Sequence, residues 1–120
     1  MLEVVECFVY DLGLLISGRD PDLDRYVDHH TAKRLRDSVS ARTTSELVTR
    51  PDFGEYAQVR IEGDLLDAAA PVRTVVEFDD RSHRVDSAGR AVSRARRRVR
   101  LLLVLDPTAT RVVDHRVDVI

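Results

Sequence analysis

Apolar and polar residues recur along this chain with two different periods. Over residues 2–17, Val5, Phe8, Val9, Leu12, Leu15 and Ile16 fall at helical spacing, while Glu3, Glu6 and Asp11 lie largely on the other side. That pattern predicts an amphipathic helix with Gly18 as its C-terminal stop. Asp20-Pro21 then supplies an N-cap and a first-turn proline for a short helix over residues 21–28 that buries Leu23 and Val27. Thr31 is placed to cap a third helix reaching Ser40, with Ala32, Leu35 and Val39 inward. Residues 41–55 are rich in Ser, Thr and Arg, carry Pro51 and Gly54, and read as a connector.

Beyond Gly54 the period shortens to two. Ala57, Val59, Ile61 and Leu65 alternate with Gln58, Arg60, Glu62 and Asp64, a half-buried strand in which Gly63 marks a bulge or bend. A second strand over residues 72–79 places Thr74, Val76 and Phe78 on one face, and residues 80–90 form a turn-rich excursion. A long third strand runs from Val92 to Leu105, Asp106-Pro107-Thr108-Ala109-Thr110 turns the chain, and residues 111–120 make the last strand. Helices first and a strand meander afterwards imply an α+β fold, in which N-terminal helices pack on one face of an antiparallel sheet of about four strands.

The third strand changes character half-way. Arg94, Arg96, Arg98 and Arg100 project from one face of its first half. If the last two strands pair with their apolar faces together, Asp114 and Asp118 share that face, and cross-strand pairing of opposite charge accounts for the basic stripe. The second half, Leu101-Leu102-Leu103-Val104-Leu105, has no polar alternate and therefore calls for burial on both faces. Helices can cover only one. Leu102, Val104, Val112 and Val75 are thus expected on the opposite face as an interface for a homodimer or a protein partner.

Composition narrows the classes. The chain has 120 residues, 43% hydrophobic and 33% charged, with a net charge of -2. That size buries roughly two-thirds of the unfolded surface, enough for one domain without a metal or disulfide. Cys7 is the single cysteine, which excludes an intramolecular disulfide framework and a Cys-based zinc knuckle. Near-neutral charge, the absence of Trp, and an arginine run with no aromatic interleaved argue against a nucleic-acid module. The basic residues are 18 Arg and only Lys33, the acidic ones 15 Asp and six Glu, a skew expected from GC-rich coding of the actinobacterial kind. The N-terminal apolar stretch has no basic leader and is interrupted by Glu3, Glu6 and Asp11. It also falls short of the roughly 18 apolar residues of a membrane span. A cytoplasmic protein, or a soluble domain of a longer chain, is the expectation.

The order of LEVVECFVYDLGLLISG, then DPDLDRYVD with TAKRLRDSV, then RVRLLLVLDPTATRVVDHRVDVI resembles the cystatin-like, nuclear transport factor two-like superfamily. The likeness spans the whole chain and rests on topology and length, without a diagnostic motif. It implies a cone-like roll whose curved sheet wraps the helices around a pocket, often dimerising through the outer sheet face. Known members include SnoaL-like cyclases, ketosteroid-isomerase-like enzymes, mitochondrial import-motor adaptor domains and secretion-apparatus assembly domains, so the fold leaves function open.

Within such a pocket, His115 is the candidate general base, since its parity groups it with Val113, Val117 and Val119 on the apolar face. The bland alternative is a hydrogen-bonded core histidine. Arg97, sharing parity with Val99 and Leu101, could meet an acidic ligand at the mouth or pair with a carboxylate, and Tyr10 and Tyr26 could line the pocket or simply fill the core. The inward acid and Tyr donor of the superfamily's isomerases are not recognisable here, so no catalytic residue is carried over. His29-His30 are too divergent in direction to chelate alone, His83 falls in a turn, and Cys7 reads as a buried structural thiol. No Gly-rich phosphate loop, G-x-S-x-G or H-E-x-x-H occurs, so neither a cofactor nor a metal is implied. The leading expectation is a non-enzymatic accessory domain that binds a partner protein or a small apolar ligand. The alternative is a SnoaL-like isomerase, cyclase or hydrolase acting on a hydrophobic substrate.

Overall fold

The computed structural model describes residues 2–40, 48–50, 58–62, 69–94 and 97–119. Helix α1 (Leu2–Ile16) buries Val5, Phe8, Val9 and Leu15. It ends where the pattern predicted. Gly18 has φ +89°, its N–H bonds the Leu15 carbonyl at 3.0 Å, and the Arg19 N–H reaches back to Leu14 at 2.9 Å. This pair of bonds is a Schellman stop, which glycine adopts without the Cβ penalty of other residues.

The predicted second helix shrinks to a single 3-10 turn, Leu23–Arg25, although Leu23 and Val27 are fully buried as expected. Asp20 caps nothing and instead accepts from the Arg36 guanidinium at 3.2 Å. Helix α2 (His29–Ser40) begins two residues before the expected cap, the Asp28 carbonyl accepting its first bond from Ala32. Thr31 is therefore an interior residue, and its hydroxyl donates across the fold to the Val113 carbonyl at 2.8 Å.

Among the described residues seven strands follow: β1 (Val48–Arg50), β2 (Gln58–Glu62), β3 (Val72–Asp80), β4 (His83–Val85), β5 (Ala91–Arg94), β6 (Arg97–Leu105) and β7 (Val112–Val119). They form a four-stranded antiparallel sheet, β2-β3-β6-β7, and a three-stranded sheet, β1-β4-β5. The helices pack against the four-stranded sheet, so the fold is α+β. Phe8, Leu23, Val27, Val76, Phe78, Leu101, Leu103 and Leu105 meet in the core between them.

Three expectations change here. The excursion over residues 80–90 contains β4, and the connector over residues 41–55 contains β1. The single long third strand divides into β5 and β6, which belong to different sheets. A hairpin tip joins β4 to β5: Asp86 accepts backbone bonds from Ala88 and Arg90 at 2.9 Å, and Gly89 takes φ +79°. β4 and β5 thus pair with one another outside the four-stranded sheet. The expected bend at Gly63 and the inward placement of Ala57 and Leu65 lie outside the described residues.

The turn before β7 is held by one carboxylate. Asp106 accepts from the Thr110 and Arg111 backbone N–H groups at 2.9 and 3.0 Å and from the Thr108 hydroxyl at 2.7 Å, while Ala109 adopts φ 55°. The start of β7 is then clamped to the helical layer. The Asp28 N–H bonds the Val112 carbonyl and the Val112 N–H bonds Tyr26, both at 2.7 Å.

Candidate functional site

Strand β7 places His115, and it does so through a bulge. Val104 pairs with Asp114, but Leu105 pairs with Val112, so Val113 is surplus. Val112 and His115 consequently both face the helices although they are three apart. This corrects two expectations: Val112 is fully buried in the core rather than on the outer face, and Val113 is exposed rather than beside His115 on the apolar side.

The His115 ring centroid lies 5.9 Å from that of Phe8, and its Nδ1 is buried without a hydrogen-bond partner. Burial, reinforced by the nearby Arg34 guanidinium and opposed by Asp114, holds the imidazole below its ordinary value of 6.5. A neutral imidazole could accept a proton. It has no carboxylate fixing its ring, however, because Asp114 accepts from Arg34 and from the His115 backbone N–H. The sign of the linkage is testable. Because the folded value is depressed, His115 contributes stability above about pH 6.5 that is lost as the pH falls through that value toward the folded one. Unfolding midpoints measured between pH 7.5 and 5 should fall more steeply for the wild type than for His115→Leu; parallel profiles would exclude the assignment.

The other pocket candidates go elsewhere. Tyr10 is 69% exposed on α1 and lines no interior space. Tyr26 is buried, and its hydroxyl donates to Asp11 Oδ2 at 2.6 Å. Arg25 approaches the same oxygen at 4.0 Å. Burial and the adjacent Asp11 push the Tyr26 phenol far above its usual value of 10.0. Asp11 is therefore not on the polar side of α1. It follows Phe8 by three and precedes Leu15 by four, which puts it in the apolar stripe, and that spacing was the available signal. Cys7, one turn earlier, is exposed rather than buried.

Arg97 takes the carboxylate option, donating to Asp80 at 3.1 Å. With Asp79, Arg81 and Arg98 it borders a depression of about 180 Å³ at the end of the sheet. His29 and His30 are exposed at the start of α2, and His83 begins β4 rather than lying in a turn. Among the described residues, no group of three His, Cys, Asp or Glu side chains is arranged to hold a metal.

The outer face of the sheet is a charged ladder with an apolar centre. Arg60, Val75, Leu102 and Arg116 stand opposite one another across the four strands, and Arg73, Val104 and Asp114 form part of the adjoining row. Val75 is only 3% exposed yet lies outside the main core cluster, while Leu102 and Val104 are half-buried. The arginine stripe is neutralised as expected in kind, but from β3. Glu77 takes Arg100 at 3.0 Å, Arg98 at 3.7 Å and Arg60 at 3.8 Å, and Arg98 also bonds Asp79 at 3.0 Å. The Arg100 hydrogen bond, with Arg60 and Arg98, holds the Glu77 carboxyl below its ordinary value. Asp114 and Asp118 are taken instead by Arg34 and Arg116. The side chains of Arg94 and Arg96 lie outside the described residues.

No known protein family matches this chain, and no curated protein is significantly similar to it. No helix among the described residues is long and apolar enough to cross a membrane.

Proposed function

We propose that this chain is a non-enzymatic binding module that takes a partner protein on the outer face of its four-stranded sheet. The observation supporting this reading is that Leu102 and Val104 stand half-buried on the side the helices leave uncovered, bordered by Arg60, Arg73 and Arg116. Among the described residues Arg73 has no ion-pair partner, so the chemistry that fits is an apolar segment flanked by carboxylates. The expected likeness to cystatin-like adaptors agrees with such a role.

An isomerase-like reaction at His115 is the second reading, favoured by its neutral ring and unpartnered Nδ1. It requires a substrate-sized space with at least two converging polar groups, whereas Phe8, Val76, Leu101 and Leu103 fill the interior it would use. The binding reading is tested with the full chain and labelled peptides that carry two or three apolar residues between acidic flanks. Fluorescence anisotropy should show saturable binding that Leu102→Asp weakens by about tenfold or more. Binding indifferent to that substitution, or absent for every such peptide, would refute it.

A further inference from the structure

We propose that β7 is a self-pairing edge, and that two copies of this chain join antiparallel through residues 115–119 about a two-fold axis at Val117. This goes beyond the outer-face reading and uses a different surface.

Strand β7 ends the four-stranded sheet. Its first residues are closed by the chain itself, through Tyr26 and Asp28 on Val112, Thr31 on Val113 and Arg34 on Asp114. Among the described residues no strand pairs with the free side of residues 115–119. The His115 N–H is turned to the Asp114 carboxylate at 2.8 Å, away from β6. By strand alternation the backbone groups of Val117 and Val119 point the same way, leaving an open row of donors and acceptors.

The side chains along this edge suit a copy of themselves. Val117 and Val119 stand opposite Leu101 and Val99 on the helix side of the sheet, yet they are 43% and 60% exposed. A two-fold axis perpendicular to the sheet keeps helix side with helix side, so the axis must pass through a residue rather than between two. Centred on Val117, it sets Val117 against its own copy, His115 against Val119, and Arg116 against Asp118, the ion pair forming twice by symmetry. Centred on Arg116, it opposes Arg116 to itself and Asp118 to Asp114. Centred on Asp118, it opposes that carboxylate to itself. Of these three registers only the one centred on Val117 opposes unlike charges, and one centred on His115 would need the edge of residues 112–114 that the chain already closes. Within one copy Arg116 and Asp118 already neutralise each other at 2.8 Å, so the pair need only exchange partners on association.

Sedimentation velocity on the full chain over a range of concentrations tests the proposal. The wild type should be a reversible dimer. R116D, which opposes two carboxylates on each side of the axis, should raise the dissociation constant by about tenfold or more. D118R should do the same by opposing two guanidinium groups. Mixed one to one, R116D and D118R chains should form a heterodimer by native mass spectrometry, because every pair across the axis is then opposite in charge. D118R also brings a like charge beside Arg100, so thermal melts must show each variant folded, with R116D as the primary reading. Amide exchange gives a second measure, the Val117 and Val119 N–H groups becoming protected as concentration rises. A wild type that stays monomeric, a dimer indifferent to R116D, or mixed variants that do not associate would overturn the proposal. A dimer broken by Leu102→Asp but not by R116D would place self-association on the outer face instead. Peptide binding lost in Leu102→Asp with the edge dimer intact would separate the two readings.

Discussion

Leu101→Ala is expected to destabilise this protein by about 3–4 kcal/mol, against roughly 1 kcal/mol or less for Leu102→Ala beside it. The two leucines share a strand and a side-chain volume, and only the face differs. Leu101 is wholly buried, opposite Val76 and under the α1 residues around Phe8. Truncating it removes buried methyl groups and leaves a cavity that neighbours on a regular sheet cannot close. Leu102 is half-buried on the uncovered face, where solvent replaces what is cut away. A domain of this size has about 5–15 kcal/mol in total, so the first change takes a large fraction of it. Urea titrations should show a lower midpoint for Leu101→Ala at unchanged slope. Equal losses at the two positions would mean that the faces of β6 are wrongly assigned.

Tyr26→Phe is expected to cost about 2–3 kcal/mol, more than an ordinary hydrogen bond, because its acceptor is a buried carboxylate. The Asp11 side chain is 6% exposed, and without the phenol Arg25, at 4.0 Å, is the one ion-pair partner left to that oxygen among the described residues. The penalty comes chiefly from the group left behind. Removing both partners in Tyr26→Phe/Asp11→Leu should therefore be less damaging than the sum of the single changes, giving a clear coupling energy in a double-mutant cycle. The pair also has an alkaline signature. The folded-state value of Tyr26 is raised above 10.0, so its contribution is complete below about pH 10 and declines as the pH rises beyond that. Wild-type stability should fall in that range more steeply than that of Tyr26→Phe. Additive single changes would show that Tyr26 and Asp11 do not act together.

How legible the fold was depended on how regular each segment is. The period-two alternation of β3 and the two periods on either side of residues 41–55 gave the helices-then-sheet order directly. The Gly18 stop was equally clear, because one residue type meets one conformational demand. What escaped were features set by a partner distant in sequence. Asp11 stands in the apolar stripe by spacing, but its charge points to solvent until Tyr26 is known to reach it, and Asp20-Pro21 looks like a helix start until Arg36 takes the carboxylate. The arginine run does meet acidic residues, and Asp118 stands opposite Arg100, but the direct ion pairs come from β3, since β3 and β7 both flank β6 and both carry acids. Nothing in the period of residues 80–94 separates a hairpin that leaves the sheet from an irregular loop. At the candidate site, His115 was found by parity counted through a strand whose count is broken at Val113. It faces inward only because of that break.

The same surplus residue has a consequence for how β7 can change. Upstream of it, Val112 must keep step with Tyr26 and Asp28; downstream, Arg116 and Asp118 must keep step with β6. A strand of unbroken alternation would tie the two obligations together, and satisfying Val112 would turn Arg116 beneath the helices. The bulge uncouples them. Drift in the contacts that lock the helical layer can be absorbed at Val113 without exchanging the faces of the residues beyond it. Mechanically β7 is one strand, but under mutation it can behave as two.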